Sequence, residues 1–457
     1  MRYAKLLCVL FISTASADEH DWPLDRVTLK NGAKFEGLIV QTLPGGLNFK
    51  VVKQPPGKPT LTFTTYIDKK EIAEEKRLSE ADRKILRGRL AALDPDGRGE
   101  RRRMDELELV KVDWLGRKNA AWKYEGEQFT LVSGAPEEFT RRAAVRLDQI
   151  FIAFGRYFPA RFAPERPIRV ELSGDLDQYR QLLKSFGGTV LNPAVFDPAG
   201  NRIVCGTDLR RLGDEMQRTR ITHVQQLAGV EKYEASLREL YKGNKAELDR
   251  FLLASKKERE KIYAAEREND RTFDSATRRL FTILYHEAFH SYAMNYVYPS
   301  RSAAEIRQVK GTGELPRWVN EGLAQVFEKP ILEAGELRVG HADDERLKKI
   351  RGGTVALLPL SELLKAGKES FLAAHANELV ASDRTYLSSY SLAFYLMFER
   401  RLLGTPAFDE YLAAVNGGKD ALAAFAKFTE QEIPAFEKDW HDYLKRLQPD
   451  GSAKPAQ

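Results

Sequence analysis

The stretch Leu280-Phe281-Thr282-Ile283-Leu284-Tyr285-His286-Glu287-Ala288-Phe289-His290-Ser291-Tyr292 carries both a helical pattern and a chemistry. Residues four apart on an α-helix lie one above the other, so His286 and His290 point to one side, close enough to grip one ion. Glu287 sits beside them. Zinc accepts neutral imidazole nitrogens, and three protein ligands leave a fourth position for a water whose pKa falls toward about 7. A carboxylate one position after the first histidine can take that water's proton without binding the metal. The chain has only 7 histidines. At that content a chance His-Glu-x-x-His is expected on the order of once in 100 chains of this length. The competing reading is a pair of satisfied structural histidines.

Two histidines do not complete a catalytic zinc site. Downstream, Leu315-Pro316-Arg317-Trp318-Val319-Asn320-Glu321-Gly322-Leu323-Ala324 offers Glu321 as the third ligand. Pro316 suits the first turn of a helix, and Gly322 and Ala324 let another helix approach closely. A glutamate on a helix is usually a surface residue. This one is flanked by Trp318, Val319, Leu323 and Val326, so its burial would demand a partner, and a metal provides one.

Outward from this centre, the 457 residues are 43% hydrophobic, enough for two or three packed domains and too apolar for a disordered chain. Lys+Arg 72 against Asp+Glu 66 leaves +6, a small excess that gives no basis for nucleic-acid binding without a concentrated patch. The one basic run, Arg98 with Arg101, Arg102 and Arg103, has no interleaved aromatics and reads as a solvated turn or helix end. Arg2 and Lys5 precede the apolar run Leu6 to Ile12, and Ala15-Ser16-Ala17 resembles a signal-peptidase site, so residues 1–17 are expected to be an export signal. No window approaches the roughly 20 apolar residues of a membrane span. The mature chain is expected to be exported, periplasmic or secreted, with Cys205 as its lone cysteine and no intramolecular disulfide.

Residues 18–78 alternate in short runs around Asn31-Gly32 and Gly45-Gly46, which predicts a small SH3-like or Sm-like β-barrel. A helical linker follows over 79–113. Residues 114–211 alternate strand and helix: a strand at Phe129 to Val132, a helix from Pro136 to Tyr157, a strand at Ile168 to Leu172 and a helix through Leu183. Over 212–271 the composition turns highly charged with apolar residues near helical spacing, interrupted by Lys242-Gly243-Asn244. A helical-hairpin insertion that buries little core is the expectation, acting as an exposed spacer or else as a substrate lid or docking arm. Residues 272–448 are helical in period, and 449–457 are expected to be a disordered tail.

His286-Glu287-Ala288-Phe289-His290 followed by Trp318-Val319-Asn320-Glu321-Gly322-Leu323-Ala324 resembles the gluzincin metallopeptidases, and in particular the peptidase MA-like family of uncharacterised exported bacterial proteins. The resemblance covers roughly Gln128 to Leu447, interrupted by the charged insertion. It implies an α+β, zincin-like peptidase domain with a helical C-terminal subdomain. It also implies zinc bound by His286, His290 and Glu321, with Glu287 as catalytic base. One departure is Gln325, where some gluzincins carry an aspartate that orients a histidine. Related gluzincins often supply a tyrosine to the oxyanion. Of Tyr386, Tyr390 and Tyr395, the choice falls on Tyr386, which begins its helix and resembles the family spacing. Tyr390 shares its face and is the alternative.

The remaining histidines are weaker: His223 in the insertion, His375 and His441 on helices, and His341 in a polar loop that could reach the cleft. The resulting expectation is an exported zinc metallopeptidase acting on a peptide or protein substrate, with no nucleic acid and no membrane span. A protein partner could bind the barrel or the hairpin. Two alternatives stay open: a non-catalytic zinc-containing scaffold, and a zinc amidase acting on cell-wall peptides.

Overall fold

The computed structural model describes residues 22–454 apart from 56–57, 94–97, 165–166, 186–193, 207–209, 300–312, 334–335, 353–354, 368 and 373–378. The expected signal at 1–17 lies outside the described residues. The fold is α+β, with an N-terminal sheet, a second sheet and a helical C-terminal region.

The N-terminal sheet holds β1 (Asp25–Leu29), β2 (Lys34–Leu43), β3 (Gly46–Lys53), β4 (Leu61–Asp68) and β5 (Ile72–Lys76), all antiparallel, in the order β4-β3-β2-β1-β5. Gly32 takes φ +83° in the turn between β1 and β2, a conformation that a side chain would strain. Alternate residues Val27, Ile39, Phe49 and Val51 close one small core. A small N-terminal β-sheet unit stands where the sequence predicts one, and the turn Lys69–Glu71 carries the chain from β4 at one edge to β5 at the other, beside β1. Asp25, fully buried, accepts hydrogen bonds from Ile39 N at 2.7 Å and Leu78 N at 2.8 Å, tying the sheet to the helical segment α1 (Glu80–Ala92) and α2 (Arg98–Glu106).

The second sheet contains β6 (Val110–Trp114), β7 (Arg117–Glu125), β8 (Phe129–Ser133), β9 (Ile168–Ser173), β10 (Ala194–Asp197) and β11 (Arg202–Gly206), in the order β10-β11-β9-β8-β7-β6. Strands β8, β9 and β11 run parallel, and β10 is an antiparallel edge. Helix α3 (Glu137–Tyr157) makes the crossover from β8 to β9. The strand period of two puts Leu131, Ile203 and Cys205 into the main core, and Val132 and Val204 on the other face, with Tyr179, Leu182 and Leu183 of α4 (Leu176–Lys184).

The charged insertion is the helix pair α5 (Arg210–Leu240) and α6 (Lys245–Tyr292). Its second arm does not stop near Arg271. Helix α6 runs 48 residues without a break, about 72 Å at 1.5 Å per residue, and its last turns carry the two histidines. The helical pair is as expected, but the bound expected at residue 271 is not a structural break, because no glycine or proline interrupts residues 245–292. The base of the hairpin is also clamped by charge. Arg142 of α3, 2% exposed, donates to Asp270 at 2.8 Å and lies 3.7 Å from Glu138. Arg146 pairs with Glu100 at 2.8 Å and Asp274 at 2.7 Å, while Arg101 reaches Glu266 and, at 3.1 Å, Asp270.

After α6 come α7 (Arg317–Phe327) and the short strands β12 (Ile331–Glu333) and β13 (Glu336–Arg338), which the helical reading of this region did not anticipate. The C-terminal region then holds α8 (Asp344–Arg351), α9 (Leu360–Leu363), α10 (Glu369–Leu372), α11 (Leu379–Phe394), α12 (Pro406–Asn416), α13 (Ala421–Thr429) and α14 (Ile433–Arg446). Glu333 accepts from Thr60 N at 2.7 Å and Thr60 Oγ1 at 2.6 Å, so the N-terminal sheet is docked on the β12–β13 hairpin. The expected free tail is corrected as far as residue 454. Lys454 N donates to Arg446 O at 3.1 Å and Ala342 N to Pro449 O at 3.1 Å, bonds that fold this stretch back on the body.

Asp270→Asn is expected to destabilise the chain by about 3 kcal/mol in urea unfolding, because it leaves the buried Arg142 short of a charge partner. The double variant with Arg142→Met is expected to recover most of that loss. A single variant within experimental error of wild type would show that the clamp contributes nothing.

Candidate metal centre

Helices α6 and α7 cross with their aromatic residues in contact, Phe289 stacked on Phe327 at 5.1 Å between ring centroids, beside Phe154 and Phe158. This core sets the separation of the polar residues next to it. His286 and His290 stand with rings 4.7 Å apart and nearly perpendicular. From α7, Glu321 reaches toward them while only 1% exposed. Its Oε2 lies 3.2 Å from His286 Nε2 and its Oε1 3.6 Å from His290 Nε2. One donor atom from each residue falls within 4.8 Å of the others, close enough for one metal ion. Ligand atoms about 2.0–2.1 Å from a tetrahedral zinc lie roughly 3.3 Å apart, which the observed spacing approaches.

Gly322 serves the packing expected of it. A Cβ on Gly322 would fall 2.3 Å from the Ser389 carbonyl oxygen and 2.7 Å from Ala393 Cβ, so α11 sits against the backbone of α7. Gln325 Nε2 donates to the Glu321 carbonyl at 3.2 Å and to the Tyr386 carbonyl at 3.0 Å, bracing the same helix pair.

Both histidines are oriented through their other nitrogen. His286 Nδ1 lies 2.8 Å from Glu328 Oε2, and His290 Nδ1 lies 3.0 Å from Asn320 Oδ1, which turns each Nε2 toward Glu321. The doubt raised by Gln325 is thus answered by Glu328, two helical turns after Glu321. Glu328 is itself held by Arg346 at 2.5 Å, and Arg346 lies 3.6 Å from Asp343. Without a metal the cluster is an ion-pair network. Burial alone would lower the His286 pKa, but hydrogen bonds and charge from Glu321 and Glu328 raise it to about 10. Burial would raise the Glu321 pKa, but His290 and His286 hold it well below the usual carboxylate range.

Glu287 points to the sheet side, where its Oε2 accepts from Phe196 N of the edge strand β10 at 2.9 Å. Tyr386 does not begin its helix as expected but lies midway along α11, half-buried and edge-on to Phe371 at 5.3 Å. Burial, then the charges of Glu321, Glu287 and Glu328, raise its pKa against the opposing Arg317, so its hydroxyl stays protonated at neutral pH. Tyr390 is 3% exposed, and its hydroxyl accepts from Asp343 N at 3.1 Å under the Arg346 guanidinium, a packing position. Tyr395 packs on Phe436 and Tyr443.

The other histidines do not join the cluster. His341 lies beside Arg338, where burial and that charge lower its pKa; His223 is buried in α5, and the His441 ring lies tilted against Trp440. His375 lies outside the described residues. Asn320, Glu328 and Arg317 were not anticipated. A signal existed for two of them, since Arg317 and Glu328 stand four residues before and seven after Glu321, on its face of the helix; Asn320 had none.

Asn320→Ala is expected to weaken retention of a divalent metal by about 10- to 100-fold in chelator competition, since it frees His290 to rotate. Unchanged retention would show that the Nδ1 contact does not orient the ring.

Residues 280–405, which include His286, Glu287, His290, Glu321 and Tyr386, match a family described as protein of unknown function, DUF1570. No curated protein matches the chain.

Proposed function

We propose that the chain is an exported zinc-dependent metallohydrolase that cleaves peptide bonds. The observation that carries this reading is the convergence of His286, His290 and Glu321 on one point, with both imidazoles turned there by Glu328 and Asn320. The donor set of two imidazoles and one carboxylate is the set that zinc uses in hydrolases with an open position. A zinc ion held there supplies Lewis acidity to a water and to the scissile carbonyl.

The chain's own residues do the rest. Glu287, adjacent to His286 and fixed by the Phe196 amide, accepts the proton of the attacking water and passes it to the leaving amine. Tyr386, protonated and close enough to feel the charges of Glu321 and Glu287, donates a hydrogen bond to the developing oxyanion. The positively charged, apolar and small-residue order of residues 1–17 supports export.

Elemental analysis of the purified protein is expected to find one zinc per chain, lost in His290→Ala. A general protein substrate such as casein is expected to be cut at a rate abolished by chelator. Glu287→Gln is expected to keep the zinc and lose about 100-fold or more of the activity, since an amide cannot accept the proton. Zinc without turnover on any protein substrate would favour a scaffold, and release of intact stem peptides from the glycan strands of cell wall would favour an amidase. Tyr386→Phe is expected to lower kcat by about 10- to 1000-fold at unchanged zinc content. Full activity in that variant would remove Tyr386 from the mechanism.

A further inference from the structure

Arg317 stands one turn before Glu321 on α7 and donates from Nη2 to Glu321 Oε1 at 2.7 Å. An arginine is an unexpected neighbour for a metal ligand, because its guanidinium competes for the carboxylate and cannot be deprotonated. Glu321 is 1% exposed, so few partners can reach its two oxygens. They are divided: Oε2 faces His286 Nε2 at 3.2 Å, and Oε1 faces Arg317 at 2.7 Å with His290 Nε2 farther away at 3.6 Å. The guanidinium is also backed by an aromatic wall, its Cζ lying 5.9 Å from the ring of Phe371, which meets Tyr386 edge-on.

A carboxylate can offer a metal one oxygen or both. If both bind, a position that water or substrate would use is filled, and the site moves from the open catalytic pattern toward a closed one. A guanidinium N–H on one oxygen is a strong, charge-assisted bond that opposes this. We propose that Arg317 is a positioning residue that keeps Oε1 of Glu321 for itself, so that the carboxylate presents Oε2 alone to a bound zinc and one coordination position stays open. The assignment rests on His286, His290 and Glu321 holding a metal.

The test uses the full chain loaded with cobalt in place of zinc, because four-coordinate cobalt absorbs visible light much more strongly than five-coordinate cobalt. Wild type is expected to bind one cobalt with strong visible absorption. Arg317→Met, folded by circular dichroism and still holding one cobalt, is expected to lose that intensity several-fold as Glu321 turns bidentate. Arg317→Lys, which keeps a cationic donor on a similar stem, is expected to restore much of it. An Arg317→Met spectrum identical to wild type overturns the proposal while leaving the metal site standing. Wild type that binds no cobalt or zinc overturns the metal site, and this proposal with it. X-ray absorption on the wild-type zinc protein gives a readout that needs no variant: one Glu321 oxygen in the first shell supports the assignment, and two overturn it.

Discussion

The contact between α6 and α7 is the constraint on which the rest depends. Phe289 is one residue from His290 and Phe327 is one residue from Glu328, so the stacked pair at 5.1 Å fixes how far the imidazoles stand from the carboxylates. Phe154 and Phe158 pack edge-on against the same pair and tie it to α3, and through α3 to the sheet. On its far side α7 rests on α11 across Gly322, where a single added carbon would strike the Ser389 carbonyl. Close packing of this kind transmits displacement, because an interior near crystal density has no slack to absorb it. The polar cluster inherits its precision from apolar neighbours that never touch it.

Charge is arranged around this frame with unusual economy. The buried carboxylates near the site each face a cation or an imidazole: Glu321 faces the histidines and Arg317, and Glu328 faces His286 and Arg346. A buried ion without a partner would cost several kcal/mol, so these pairings let two glutamates stay ionised where the packing would otherwise expel them. The same logic operates at the base of the hairpin, where Arg142 and Arg146 of α3 meet Asp270 and Asp274 of α6. One helix is thus pinned to α3 by charge midway along its length, and to α7 by aromatic contact near its end.

What was legible in the sequence follows from how local each signal is. His286 and His290 were readable because the helical period alone brings them together, and Glu321 because an acidic residue among Trp318, Val319 and Leu323 has no apolar reason to be buried. Strands β1 to β4, β8 and β9 and helix α3 showed their periods plainly. Strand β5 did not, since Ala73-Glu74-Glu75 is exposed and pairs only through its backbone. Strands β10 and β11 have only 4 and 5 residues, and although β11 is buried, runs so short carry too few repeats to show a period. Composition hides the continuity of α6, because the mix of charges changes near residue 271, whereas a helix continues wherever no breaker interrupts it. The helical period places Glu328 on the face of Glu321, but that it and Asn320 meet His286 and His290, 42 and 30 residues away in sequence, is set by how α6 and α7 pack, which no local period encodes.

Helix α6 has a consequence for how this chain can vary in length. Each residue of an α-helix turns by about 100°, so one residue inserted between Lys245 and the clamp at Asp270 would leave the histidines in place and swing the outer arm about a quarter turn around the axis. Its pairing with α5, including the bond of Arg259 to Glu234 at 2.8 Å, would then face the wrong way. Only changes near whole turns, about 7 or 11 residues, matched in both arms, keep the two helices in phase. The hairpin's length is therefore quantised: related chains should differ there in steps of whole turns rather than in the scattered single-residue gaps that ordinary surface loops tolerate.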